Sequence, residues 1–138
     1  MKMNIIAVYN KKEDKILMCL RKKEPYKGLY NLVGGKVEEN ETGLESAYRE
    51  LEEESGITKD DITLTHLTTC NYQMSNNELQ VYVGKLNKEV KVVEEVNKLY
   101  WVDANDEFFN ISKYAGEGII GHIIEQIKLY KEKLLKNH

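Results

Sequence analysis

Apolar positions crowd together at the start of the chain in "MNIIAVYN" and again in "ILMCLR", separated by the polar turn "KKEDK". Two short apolar runs around such a turn predict a pair of strands forming a hairpin. The polar segment "KKEPYKGLYN", which carries Pro25 and Gly28, reads as a loop leading into a short strand, "LYNLVGG", that ends on two glycines. After a second loop, "EENET", the period changes. Leu44, Ala47, Tyr48 and Leu51 recur at i, i+3, i+4 and i+7, one face of a helix. Thr42 with Glu45 three residues later matches a capping box, and Gly56 stands where a C-cap belongs. "ITLTHLTTCNY" and "LQVYVGKL" alternate as strands around the turn "QMSNNE", and "NKLYWVD" predicts one more. "GIIGHIIEQIKLYKEKLLKN" places Ile120, Ile123, Ile124, Ile127, Tyr130 and Leu134 at helical spacing. Strands mixed with two helices point to an α/β or α+β domain with helices packed on a mixed sheet.

A length of 138 residues fits one domain spanning 1–138 and is enough for a real core. The 20 basic and 23 acidic side chains leave a net charge of −3, which argues against a bulk electrostatic grip on a nucleic-acid polymer. No apolar run approaches a membrane span, and the N-terminal run is too short for a signal peptide, so a cytoplasmic location is expected. Cys19 and Cys70 sit in strand-like segments with no CxxC or Cys/His cluster, as expected of reduced structural thiols. His66, His122 and His138 have no partner at metal-ligand spacing.

The charge pattern of one segment changes the picture. In "GGKVEENETGLESAYRELEEESGI", residues 34–57, eight of 24 positions are glutamates. On the predicted helix, Glu50, Glu53 and Glu54 are related by i, i+3 and i+4 and share a face next to the apolar stripe. Three carboxylates held beside a core repel one another unless a cation joins them. A hard divalent ion such as Mg²⁺ suits oxygen ligands and leaves positions for water and phosphate. Arg49 lies one turn before Glu53, where a guanidinium offsets part of the repulsion.

Gly35, Glu41, Arg49, Glu50, Leu51, Glu53, Glu54, Gly56 and Ile57 together fit G-x5-E-x7-R-E-U-x-E-E-x-G-U, with U a bulky aliphatic residue. This resembles the signature of the Nudix hydrolases. The resemblance implies an α/β/α sandwich and Mg²⁺-dependent attack of water on a nucleoside diphosphate linked to another group, with Mn²⁺ as an alternative ion. It implies that Glu50, Glu53, Glu54 and the carbonyl of Gly35 hold the metal. Arg49 would orient a ligand carboxylate, and Glu41 would play a more structural part. The general base is implied inside the signature, at Glu50 or Glu53, or in a later loop, where Glu94 and Glu95 precede a strand and Glu95 is the better spaced.

Substrate choice lies outside the signature. The segment "YNLVGGKVEENE" resembles MutT-type 8-oxo-purine triphosphate diphosphatases, which puts Asn31 at a base-reading position. Arg21 and Lys36 are candidate phosphate contacts, and Tyr114 and Glu117 candidate base contacts ahead of the last helix. The proline expected downstream of the signature in the ADP-ribose branch is absent, and Tyr72 keeps the dinucleoside polyphosphate branch as an alternative. The expectation is therefore a nucleoside triphosphate cleaved to monophosphate and pyrophosphate. A nucleotide-sensing domain without catalysis is the rival. Monomer and homodimer both stay open.

Overall fold

Alternation within the first strand decides the layering. In this computed structural model, which describes residues 1–136, β1 (Lys2–Tyr9) sends Ile5, Ala7 and Tyr9 to one side of a sheet. Ile6 and Val8 go to the other side. Both sides are buried, so both must be covered. One is covered by α1 (Gly43–Ser55), the other by α2 (Ile119–Leu129) and the short α3 (Lys131–Leu134). The remaining strands are β2 (Lys15–Leu20), β3 (Tyr30–Lys36), β4 (Thr65–Tyr72), β5 (Asn77–Lys85) and β6 (Leu99–Asp103). They form one mixed sheet in the order β4-β5-β1-β3-β2-β6, parallel only between β1 and β5. The result is the expected α+β sandwich.

The hairpin expected of β1 and β2 forms only at its base. Tyr9 pairs with Ile16, after which the strands diverge and β3 inserts between them, antiparallel to both. Local sequence favours the turn, but the apolar "NLV" of β3 buries more surface in the centre of the sheet than at its edge. The insertion brings the two glycines of β3 beside Asn4 and Ile5 of β1, with Gly35 opposite Asn4. At Gly34 this packing tolerates no side chain, since a Cβ would lie 2.1 Å from the Asn4 carbonyl oxygen.

α1 starts and stops as its caps dictate. Thr42 Oγ1 accepts from Glu45 N–H at 3.1 Å and Glu45 Oε1 accepts from Thr42 N–H at 2.8 Å. Gly56, at φ 78°, ends the helix in the left-handed conformation and donates to the Glu52 carbonyl at 2.8 Å. Ala47 and Leu51 are fully buried, as their spacing predicts. Leu44 is not: it is 43% exposed, and Ser46 and Ser55 take core positions instead. The buried stripe takes in both serines: Ser46 bonds Asn4 of β1 and the Lys36 carbonyl of β3, and Ser55 donates to the Leu51 carbonyl. The terminal helix also departs from its pattern. Tyr130 is exposed and caps α2, and α3 follows as a separate turn. His138 lies outside the described residues. No helix among these is long and apolar enough to cross a membrane.

Candidate active site

Arg49 is the hub of the glutamate-rich helix. Its guanidinium uses all five N–H donors. Nε and Nη2 take Glu41 Oε2 and Oε1 at 3.0 and 2.7 Å, and Nη2 also reaches the Lys36 carbonyl at 3.1 Å. Nη1 bridges Glu50 Oε1 at 3.1 Å and Glu53 Oε2 at 3.2 Å. The bidentate grip of Arg49 holds the Glu41 carboxyl down at about 2. The surrounding carboxylates raise the Arg49 pKa in return.

Glu50 and Glu54 are less comfortable. Burial pushes both carboxyls up; Glu50 and Glu53 raise Glu54 further, and Glu53 and Glu41 raise Glu50 against the lowering pull of Arg49. The Oε2 atom of Glu54 is buried and without a hydrogen-bond partner. Gly35 faces this pair: a Cβ there would sit 2.4–2.5 Å from the Glu50 carboxyl atoms, so only glycine lets the carboxyl approach the β3 backbone. Glu53 departs from the expectation of a tight triplet. It is 57% exposed, and Arg49 holds it outward. Among the described residues no group of three His, Cys, Asp or Glu side chains converges into a ready cation cage. A desolvated pair with an orphaned oxygen, packed against a glycine, nonetheless fits the donor chemistry of a hard divalent cation.

Two cavities adjoin here, sharing Met3, Asn4, Ile5 and Asn31 in their walls. One, about 490 Å³, runs past Gly34, Gly35, Glu54 and Asn97 and is flanked by Arg21, Lys22 and Lys23. The other, about 370 Å³, is largely apolar, with Tyr26, Tyr72, Glu117 and Ile119 around it. Asn31 Oδ1 accepts from Leu32 N–H at 2.9 Å, which leaves its amide N–H groups for a ligand. Glu117 Oε2 accepts from the Tyr26 hydroxyl at 2.6 Å.

Two expected substrate contacts, Tyr114 and Lys36, and one candidate general base, Glu95, stand elsewhere. Tyr114 is 1% exposed, packs against Phe108 and Tyr30, and bonds Asp106, so it belongs to the core under α2. Lys36 lines a separate surface hollow with Glu38 and Asn40, because alternation along β3 turns it away from the glycines. Glu95 is exposed and lines neither cavity, while its neighbours Val96 and Asn97 do. Asn4, Ser46, Tyr26 and Asn97 were not singled out from the sequence. Asn4 alone carried a signal there, as a lone amide inside an apolar strand.

A carboxylate pair on a helix, a glycine-bordered strand end and a cation-flanked cleft thus come together in this chain. The chain belongs to the Nudix family: the NUDIX domain model matches residues 2–118. It is similar to the ADP-ribose pyrophosphatase of Methanocaldococcus jannaschii, 48% identical over 46 residues, which are 33% of this chain and 27% of that protein. It is also similar to the 8-oxo-dGDP phosphatase NUDT18 of Mus musculus, 33% identical over 60 residues, 44% of this chain and 19% of that one. The matches thus span about a quarter or less of these relatives. In three dimensions it resembles a C. elegans Ap4A hydrolase, with a TM-score of 0.74, 21% identity, and coverage of 94% of this chain and 98% of that one. That likeness speaks for the fold. Members of this family generally use divalent metal ions such as Mg²⁺.

Proposed function

We propose that this enzyme hydrolyses a purine nucleoside triphosphate, with an oxidised guanine such as that of 8-oxo-dGTP as the leading substrate, to the monophosphate and pyrophosphate. The observation that carries the reading is the pair of joined cavities. The cation-flanked one suits a polyphosphate chain, and the apolar one suits a planar base. At the base end, the free amide N–H of Asn31 offers a donor and the Glu117 carboxylate an acceptor. A guanine edge presents the complementary carbonyl and N–H groups. The matched segment of an 8-oxo-dGDP phosphatase supports the same class.

Glu50, Glu54 and the Gly35 carbonyl would hold Mg²⁺, with Glu53 swinging in from its exposed position; Mn²⁺ would serve in its place. Bound there, such an ion neutralises phosphate charge and lowers the pKa of a coordinated water. Arg21, at the rim with Lys22 and Lys23, steadies the phosphates in line. The oxygen of a water forms a bond to the α or β phosphorus as the bond from that phosphorus to the oxygen bridging the two breaks, which gives the monophosphate and pyrophosphate. Glu50, packed against the Gly35 that lines this cleft, takes the water's proton, and Arg49 keeps that carboxylate oriented. The protein would work in the cytoplasm on small nucleotides, as a monomer or homodimer.

A second reading is favoured by Tyr72, which is 44% exposed in the wall of the apolar cavity and is available to stack a further base. It makes a dinucleoside polyphosphate the alternative substrate. Phosphate and pyrophosphate release with Mg²⁺, measured across canonical and 8-oxo nucleoside triphosphates, diadenosine polyphosphates and ADP-ribose, separates these. Preference for the 8-oxo triphosphate with pyrophosphate as product supports the first reading. Preference for another substrate discards the base assignment of Asn31 and Glu117. Nucleotide binding without turnover would make the domain a sensor.

A further inference from the structure

We propose that Asn4 is a positioning residue for the Gly35 carbonyl, holding it toward the divalent cation. The inference rests on the metal reading above and adds to it a residue from another strand. Asn4 lies in the apolar run of β1 and is 1% exposed. A buried amide must satisfy both of its ends. Oδ1 accepts from Gly35 N–H at 3.0 Å, and Nδ2 donates to Ser46 Oγ at 2.8 Å. A backbone N–H can only donate, so the Gly35 contact decides which end of the amide faces β3. Ser46, fully buried on α1, donates in turn to the Lys36 carbonyl at 3.4 Å, and Arg49 Nη2 reaches the same oxygen at 3.1 Å.

These bonds bracket one peptide. The Gly34–Gly35 peptide is held through its N–H by Asn4, and the carbonyl of Lys36 is held from α1. The Gly35 carbonyl belongs to the peptide between them. Two consecutive glycines restrain a strand backbone less than residues with side chains do, whereas a cation ligand needs a fixed carbonyl. Partners behind a ligand orient it, and their loss typically weakens metal binding by about 10–100-fold. Leucine has a similar shape and would leave no polar atom to satisfy at this core position. The amide stands where its acceptor meets the glycine.

The test is Mn²⁺ affinity by electron paramagnetic resonance in wild type, Asn4→Leu, Asn4→Asp and Ser46→Ala, with Gly35 amide exchange by NMR and thermal unfolding alongside. Asn4→Leu is expected to weaken Mn²⁺ binding by about tenfold or more and to speed Gly35 exchange. Asn4→Asp keeps an acceptor toward Gly35 and is expected to restore both. Ser46→Ala keeps the Asn4 contact to Gly35, and Arg49 Nη2 still holds the Lys36 carbonyl, so its affinity is expected to fall less than that of Asn4→Leu. Equal losses in Asn4→Leu and Ser46→Ala, or undiminished binding in Asn4→Leu, would overturn the inference and leave a packing role. If Asn4→Leu does not fold, Asn4→Ser, too short to reach Gly35, takes its place. A wild-type protein that binds no Mn²⁺ would overturn the metal reading itself, an outcome seen before any variant is compared.

Discussion

Arg49 grips Glu41 through two parallel bonds, Nε to Oε2 at 3.0 Å and Nη2 to Oε1 at 2.7 Å, although eight residues separate them. This fork ties the loop before α1 to the helix and leaves Nη1 to span Glu50 and Glu53. Planar geometry matters here, because lysine offers a point charge and no fork. Arg49→Lys is therefore expected to lower kcat by about 10–100-fold, since the carboxylate it orients loses its alignment. Steady-state kinetics on the preferred substrate check this, and a variant with wild-type kcat would remove Arg49 from the positioning role.

The same fork predicts an acid limb of stability. The Glu41 carboxyl, held at about 2 by Arg49, lies well below its ordinary value. A depressed carboxyl contributes stability above the unfolded pKa and loses it as pH falls through the folded one. Wild type should thus lose thermal stability between roughly pH 4.5 and 2. Glu41→Gln should start less stable at pH 7 and show a shallower acid decline, measurable by circular dichroism at a series of pH values.

Glu50 and Glu54 carry the opposite sign. Burial raises both carboxyls, so their contribution is present at low pH and disappears as pH rises through the folded pKa. Without metal, the protein should become less stable from acidic to alkaline pH in the range above an ordinary glutamate, and Mg²⁺ should reverse that loss. Glu54→Gln removes a charge whose Oε2 is buried without a partner. It should raise the metal-free melting temperature by about 2–5 °C while abolishing turnover. A destabilised Glu54→Gln would mean that the carboxylate is satisfied in the metal-free protein.

Much of this site was legible because its residues are close in sequence. The capping box, the C-cap glycine and the carboxylate spacing of α1 are relations over three or four residues, and helix geometry converts them directly into positions. Glu53 shows the limit of that conversion. Spacing puts it on the right face, but only the guanidinium of Arg49 explains why it points outward. The contacts of Asn4 lie 31 and 42 residues away, at Gly35 and Ser46, and depend on β3 inserting between β1 and β2. No local pattern encodes that insertion. Tyr114 and Lys36 were misplaced for a related reason: proximity to a site in sequence does not say which face of the sheet a side chain takes.

Exposure of Glu53 and Glu95 sets up the last discrimination, between a base carried by α1 and one carried by the loop before β6. Glu95 stands clear of both cavities, whereas Glu53 sits one helical turn from the Glu50 carboxylate and is linked to it through Arg49. Glu53→Gln, which removes one of the carboxylates that would hold the cation, is expected to cost about 100-fold or more in kcat with little change in melting temperature, because an exposed carboxylate contributes little to stability. Glu95→Gln should stay within about threefold of wild type, well short of the loss expected when a general base is removed. The pair is measured together in single-turnover assays with saturating Mg²⁺, so that substrate binding and chemistry separate. A collapse of activity in Glu95→Gln alone would show that the loop closes over the phosphates during turnover and delivers the base. It would also transfer the proton-accepting role from Glu50 to that loop.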